Sequence, residues 1–179
     1  MKITLVRHGQ TDNNKDGRIQ GRANNMLNDE GRRQCRKAKS KILDKHFDIC
    51  YTSPLVRCVE TGMILVGDSV KMVTDDRLIE RDMGELEGCQ RGSYDFLSYW
   101  DYELNNNEHG IEAIQDIFKR CEDFLNYIKE KNSPDSSVLI VTHGAPFRAL
   151  RHLILKNDLK GDLYDGKIEN CRVEELEIE

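Results

Sequence analysis

No stretch of the 179-residue chain stays apolar long enough to cross a bilayer, and charged residues make up 33% of it. Membrane insertion is therefore excluded, and a soluble globular protein is expected. The first segment is a short alternation behind a single Lys2, without the long apolar stretch and small-residue cleavage site of a secretory leader, so a cytoplasmic setting is expected. Six cysteines are present (Cys35, Cys50, Cys58, Cys89, Cys121 and Cys171). They form no C-x-x-C pair and no Cys/His cluster at zinc-like spacing, so neither a disulfide framework nor a metal site is read, and reduced thiols are expected. A positive excess is missing too: the net charge of −5 argues against nucleic acid as the main partner. With no internal repeat, low-complexity tract or linker, residues 1–179 read as one domain, within the roughly 100–200 residues that domains commonly have.

What is present is an alternation of strand and helix patterns. "KITLV" (Lys2–Val6) is a dense apolar run rich in β-branched residues, the mark of a strand covered on both faces. A Gly- and Asn-rich loop follows (13–28). The segment Asp29–His46 begins with acids and ends with basic residues, as a helix dipole prefers. Its basic part, "GRRQCRKAKSKILDKH", reads as a solvated helix face rather than a binding patch. "FDICYTS" (47–53) reads as a second strand, and Pro54 opens a helix with Ser53 as its candidate cap and Gly67 as its stop. A short strand is expected near 70–74.

The segment 92–107 gathers Tyr94, Phe96, Tyr99 and Trp100 into an expected amphipathic helix, where aromatics cover a core or line a pocket mouth. Between Glu112 and Asn132, apolar residues from Ile114 to Ile128 recur at helical spacing on one face. "SSVLIVTHG" (136–144) repeats the opening arrangement, an apolar strand ending on His-Gly. A helix over 145–156 and a last alternating strand, "CRVEELEIE", complete the pattern. Such alternation predicts an α/β fold, a three-layer sandwich with a mostly parallel central sheet flanked by helices, with functional residues beyond the carboxyl ends of the strands.

Two of the strands, if parallel, deliver His8 and His143 to the same sheet edge, each followed by a Gly that lets backbone approach a ligand. Arg7 at one strand end and Arg57, early in the helix after "YTSP", are placed to converge with them on one anion, and the guanidinium fork suits phosphate oxygens. His46, His109 and His152 lack strand-end placement and read as helix-end, loop and helix-face residues; His109, beside the aromatic segment, is the one of them within range of a substrate.

The motifs now quoted resemble those of the histidine phosphatase superfamily, the phosphoglycerate-mutase-like proteins. "LVRHGQTDNN" is similar to R-H-G-E-T-x-x-N, with Gln10 in place of Glu and Asn13 in place of a frequent Trp. "RIQGRANNMLNDEGRRQ" matches the following pattern at Gln20, Gly21, Leu27 and Gly31, with Asn24 and Asn28 where Asp and Thr are common. "YTSPLVRCVET" resembles S-x-L-x-R-A-x-x-T with Cys58 replacing Ala, "LIERDMGELEG" resembles the motif that carries the family's acid, and "VTHG" supplies the second His. These motifs stand in the family's order, and the resemblance covers nearly the whole chain.

The resemblance implies a single histidine phosphatase-like catalytic domain over 1–179, with a small helical cover around 85–115. It implies His8 as nucleophile through a phosphohistidine, Glu80 as the acid and base, and Arg7, Arg57 and His143 as further catalytic residues. Arg7, Asn14, Gln20, Gly21, Arg57, His143 and Gly144 are the implied substrate-binding residues. Arginines supply the charge neutralisation often left to Mg²⁺, so no cofactor or metal is expected. The expected partner is a small phosphorylated molecule, and the expected state is a monomer or homodimer. A phosphatase of small phosphomonoesters is favoured, resembling the broad-specificity and α-ribazole phosphatase branches, because residues 81–142 offer less cover than mutases carry. Leu86 stands where those branches have an aromatic residue, and Ile111 and Ala113 depart from their G-E-S pattern. The alternatives are a cofactor-dependent phosphoglycerate mutase-type phosphotransferase, a phosphoprotein phosphatase, and a non-catalytic phosphate-binding module.

Overall fold

The computed structural model describes residues 1–92, 95 and 97–179. Along the chain lie β1 (Lys2–Arg7), α1 (Asp12–Lys15), α2 (Asp29–Lys41), β2 (Ile49–Thr52), α3 (Val56–Val66), β3 (Met72–Thr74), α4 (Ile114–Lys131), β4 (Ser137–Thr142), α5 (Gly144–Ile154) and β5 (Val173–Glu177). The strands form one five-stranded sheet in the order β3-β2-β4-β1-β5. β3, β2, β4 and β1 run parallel, and β5 pairs antiparallel with β1 at the edge.

The alternation of side chains along β4 shows how the layers form. Val138 and Ile140 join a core with Ile3 and Leu5 of β1, Phe118, Phe124 and Ile128 of α4, and Phe147 and Leu150 of α5. Leu139 and Val141 point to the opposite face and join Val6, Cys35 and Ala38 of α2, and Cys58 and Leu65 of α3. A strand buried on both faces has no polar face to alternate with, which is why its sequence is a continuous apolar run. The expected α/β sandwich with a mostly parallel sheet is the observed architecture.

Helix boundaries depart from expectation where a specific contact decides. α2 stops at Lys41 instead of running to His46, because the chain turns at Ile42 and buries Ile42 and Phe47 against the α2/α3 core. α3 begins at Val56, and Ser53 does not cap it. The cap comes from outside: Asn24 Oδ1 accepts from the Val56 N–H at 2.8 Å. The loop expected over 13–28 opens with the short helix α1, whose first turn is closed by Thr11, its hydroxyl accepting from the Asn14 N–H and its own N–H donating to the Asn14 side chain.

The amphipathic helix expected over 92–107 is absent among the described residues. Leu97–Trp100 is a short 3-10 turn, and Tyr94 and Phe96 lie outside the described residues. Tyr99 and Trp100 are buried as expected of a pocket wall or core, and Tyr99 packs with Ile19, Met83 and Ile111.

The basic face of α2 is solvated and paired, with Arg32 Nε on Glu60 at 2.7 Å and Arg33 on Glu30 at 2.7 Å. Its first turn meets the loop after β1 so closely that a Cβ on Gly31 would lie 2.1 Å from the Gln10 carbonyl oxygen. Since that neighbour is backbone, Gly31→Ala is expected to destabilise the protein by roughly 1–3 kcal/mol. Urea unfolding would show it as a lower midpoint at unchanged slope, and an unshifted midpoint would contradict the close packing.

Candidate active site

The parallel register sets Arg7 opposite Thr142, and the His8 N–H donates to the Thr142 carbonyl at 2.9 Å. His8 and His143 therefore leave adjacent strands at the same height, and their rings meet edge to face with centroids 5.1 Å apart. A cavity of about 340 Å³ opens beyond these strand ends, lined by Arg7, His8, Asn14, Gln20, Gly21, Glu80 and Gly144 among others.

His8 is almost wholly buried. Its Nδ1 lies 2.6 Å from the Gly9 carbonyl oxygen. A carbonyl only accepts, so Nδ1 carries the proton and Nε2 keeps a free lone pair. Burial, then the nearby Arg57 and Arg7 charges, hold the imidazole well below its ordinary pKa. The ring is thus neutral and in the tautomer a nucleophile needs.

Arg7 is buried too, and burial pulls its pKa down to about 10, which leaves it charged at neutral pH. One of its terminal nitrogens donates to the Ile168 carbonyl, while Nε is buried with no protein partner. Arg7 as a whole lines the cavity, where a charged guanidinium suits an anion.

His143 and Arg57 sit differently. Both are fully buried and form a layer behind His8 rather than part of the cavity wall. Arg57 Nε donates to His143 Nδ1 at 3.1 Å, and its terminal nitrogens donate to the carbonyls of Ala23 at 2.7 Å and Gly21 at 2.9 Å. Because Arg is a donor only, His143 Nδ1 must accept, so its Nε2 carries the proton and donates to Ser53 Oγ at 2.7 Å. Burial and the Arg57 charge keep this imidazole neutral as well.

Glu80 enters from the segment tied to the end of β4, where Thr142 Oγ1 donates to the Leu78 carbonyl at 2.8 Å. Its carboxylate accepts from the N–H groups of Gly144 at 3.1 Å and Ala145 at 3.0 Å, the first turn of α5, and from its neighbour Arg81 at 3.0 Å. The positive end of the helix dipole and three aimed donors fix where this acid stands.

The remaining predicted contacts line the cavity from the loop after β1. Gln20 Oε1 is taken by the Thr11 hydroxyl at 2.8 Å and by Asn25 at 3.3 Å, and Asn14 Oδ1 by the Thr11 N–H at 3.3 Å and Asn170 at 3.2 Å. Both amides are thereby oriented, with their carbonyl ends spent. Gly21 has φ +50, and a Cβ there would meet Glu87 Oε1 at 1.9 Å. His109 lies off the cavity wall, 3.4 Å from Glu85, His46 is exposed beside Asp48, and His152 is buried on α5.

Several site residues escaped the sequence reading. Ser53 was read as a helix cap and instead holds His143; its place in the S-x-L-x-R pattern was the available signal. Thr61, from the same pattern, accepts from the Gly9 N–H at 3.1 Å. The segment after α5 carried no signal, yet Tyr164, Lys167 and Ile168 complete the wall, and Asn170 Nδ2 donates to the His8 carbonyl at 3.1 Å.

Three imidazoles (His8, His143 and His152) are lowered chiefly by burial, and this fixes a pH dependence of stability. Unfolded, they take up protons near pH 6.5; folded, they resist protonation at that pH. They cost nothing above about 6.5, and stability falls as pH drops below it. Urea unfolding between pH 8 and 5 is expected to show that loss, and to show less of it in His143→Gln. Unchanged stability across the window would contradict the neutral buried pair.

A family model of the histidine phosphatase superfamily (branch 1) matches residues 3–179. The chain is 34% identical over 178 residues to the uncharacterised phosphatase PhoE of Bacillus subtilis, covering 98% of this chain and 88% of that one. It is 33% identical over 164 residues to a 2,3-bisphosphoglycerate-dependent phosphoglycerate mutase of Rhizobium etli, covering 83% and 78%. Its fold superposes on a mycobacterial glucosyl-3-phosphoglycerate phosphatase complexed with VO3 at a TM-score of 0.87 and 25% identity, covering 97% and 91% of the two chains. With two buried neutral histidines at adjacent strand ends, a matching family model along nearly its whole length, and relatives of that similarity, the chain belongs to the histidine phosphatase superfamily.

Proposed function

We propose that the protein hydrolyses small phosphomonoesters without a metal ion, through a phosphohistidine on His8. The observation that carries this reading is the neutral His8 ring, pinned through Nδ1 to Gly9, opening with Arg7 and Glu80 onto one cavity. Binding alone requires neither a poised nucleophile nor an aimed acid.

In this reading the Nε2 lone pair of His8 attacks phosphorus as the bond to the leaving oxygen breaks. Glu80 gives that oxygen a proton and then takes one from the water that attacks the phosphohistidine, returning His8 to its neutral state. The guanidinium of Arg7 takes the charge that spreads over the phosphoryl oxygens, with Asn14, Gln20 and Gly21 at the same wall. Arg57 and His143 act from behind: Arg57 adds positive potential and keeps His8 unprotonated, while His143 backs its ring.

Relatives named as phosphatases, among them PhoE of Bacillus subtilis and phosphoserine phosphatase 1 of Hydrogenobacter thermophilus, support hydrolysis over transfer. The cover points the same way, being, among the described residues, loops with short 3-10 turns between Gly84 and Gly110; a mutase must keep water from its phosphohistidine. A single catalytic unit over 1–179 and a cytoplasmic setting belong to the same proposal, the latter supported by cysteines that are all unbridged. No helix among the described residues is long and apolar enough to cross a membrane.

Purified protein in EDTA is expected to release phosphate from a panel of small esters, with little 2-phosphoglycerate formed from 3-phosphoglycerate plus 2,3-bisphosphoglycerate. Isomerisation without release would make it a mutase; silence in both channels would leave a binding module. His8→Ala is expected to lower turnover by more than about a thousandfold without unfolding the protein, and a variant that kept most of its rate would end the nucleophile assignment. Glu80→Gln is expected to slow alkyl phosphates far more than p-nitrophenyl phosphate, whose leaving group needs no proton. Equal losses on both would remove Glu80 as the acid.

A further inference from the structure

Two thiols from distant parts of the chain meet directly beneath the nucleophile. Cys35 Sγ of α2 and Cys171 Sγ, in the turn before β5, are 3.4 Å apart, the one thiol–thiol contact among the described residues. Each also touches the backbone that carries His8. Cys35 Sγ lies against Gly9, where an added Cβ would stand 2.8 Å from the sulfur, and it shares Thr61 Oγ1 with the Gly9 N–H, at 3.5 and 3.1 Å. The Cys171 N–H donates to the carbonyls of Arg7 at 3.1 Å and His8 at 3.2 Å.

We propose that Cys35 and Cys171 are a latent disulfide, closed by a peroxide-class oxidant, and that closing it slows the active site by displacing the backbone around His8. The sulfurs must approach from 3.4 Å to the roughly 2.05 Å of a bond. That movement draws α2 and the β5 turn together, and the backbone of residues 7–9 is in contact with both, with Gly9 against the Cys35 sulfur and the Arg7 and His8 carbonyls on the Cys171 N–H. A misplacement of about 1 Å at a reacting group costs on the order of a hundredfold in rate.

The chemistry is balanced by hydrogen peroxide alone. The Cys35 sulfur attacks one peroxide oxygen, the O–O bond breaks, and the displaced hydroxide takes the thiol proton as water, leaving a sulfenic acid on Cys35. The Cys171 sulfur then attacks that sulfur, expelling hydroxide that takes the second thiol proton as another water. Two thiols are oxidised and one peroxide reduced.

The contact with Cys171 holds the Cys35 thiol below its ordinary pKa, whereas burial pushes Cys50 and Cys121 up to about 12. Both thiols of the pair are buried, Cys35 fully and Cys171 with 9% of its surface exposed. Small size is therefore required of the oxidant, as peroxide has it.

The effect on rate rests on the proposed function, but the bond itself does not, so the two are read separately. Protein treated with peroxide and quenched with catalase would be mapped by mass spectrometry under non-reducing conditions, assayed, and then reduced with dithiothreitol. The expected result is a peptide linked through Cys35 and Cys171, a loss of at least about tenfold in p-nitrophenyl phosphate turnover, and recovery on reduction. Cys171→Ser, and Cys35→Ala as a second variant, should keep activity through the same treatment. The ring ¹⁵N resonances of His8 should move on oxidation of the wild type only, a readout that works even if the protein hydrolyses nothing. Absence of the linked peptide once the more exposed Cys89 is oxidised would overturn the pair. A linked peptide with unmoved His8 resonances and unchanged turnover would overturn its coupling to the site.

Discussion

Parallel pairing of β1 with β4, in the register that sets Val6 against Val141 and Arg7 against Thr142, is the constraint on which the site rests. The last rung of that ladder, from the His8 N–H to the Thr142 carbonyl, puts both histidines at one height. A slip of one residue would turn every side chain of β1 to the other face, exposing Ile3 and Leu5 to the wrong core and carrying His8 away from His143. Because both faces of these strands are buried, the hydrophobic effect enforces the register that the chemistry uses. The same pairing orders the third participant, since Thr142 also holds Leu78 and so brings Glu80 to the first turn of α5.

Electrostatics at these strand ends follow from burial. Two arginines and two histidines packed together could not all be charged, and the geometry resolves this by keeping both imidazoles neutral. Arg57 is satisfied by two carbonyls and by His143 Nδ1, so its charge is fixed in place and cannot follow solvent. Arg7 keeps an unpartnered nitrogen. In the proposed function, the incoming phosphoryl group brings negative charge to this positive pocket, in a protein whose overall charge is −5.

Much of this was legible in the sequence, and for identifiable reasons. A strand covered on both faces is an apolar run, so β1 and β4 stood out, and the period of α4 from Ile114 to Ile128 marked its buried face. The strand-end His-Gly pairs and the residues around Arg57 and Glu80 were legible because side chains of distinctive chemistry occupy them. What was not legible depends on choices that a hydroxyl or an amide leaves open. Ser53 has the chemistry of a helix cap and instead accepts from His143; the cap of α3 comes from Asn24, across a loop. Asn-rich sequence around α1 resembled loop because a four-residue helix depends on its capping box alone. The aromatics of 92–107 suggested a helix face, but Tyr99 and Trp100 are committed to a tertiary contact, packing near the Arg81 guanidinium, 5.9 and 5.6 Å from their ring centres.

The segment after α5 was silent for a deeper reason. It is held by backbone and side chains together: Arg7 binds the Ile168 carbonyl, and Arg148 binds the Gly166 carbonyl and the Asp165 carboxylate, which also accepts from Arg151, while the Arg148 guanidinium lies over Trp100 and Tyr164, 4.5 and 4.7 Å from their ring centres. On the other side of the cavity Arg81 does the same, donating to the carbonyls of Glu112 and Tyr99. Every residue has a carbonyl, so the main-chain share of these anchors leaves no side-chain signature in the loops they fasten. Where a carbonyl is the partner, the loop residue can change while the loop stays attached to an arginine of the core. In the proposed function, phosphoryl chemistry falls to side chains at the strand ends and selection of the ester to the loops that line the rest of the cavity. Such a separation is compatible with a fold shared at a TM-score of 0.87 and 25% identity, because function is set at the site and not by the fold that carries it.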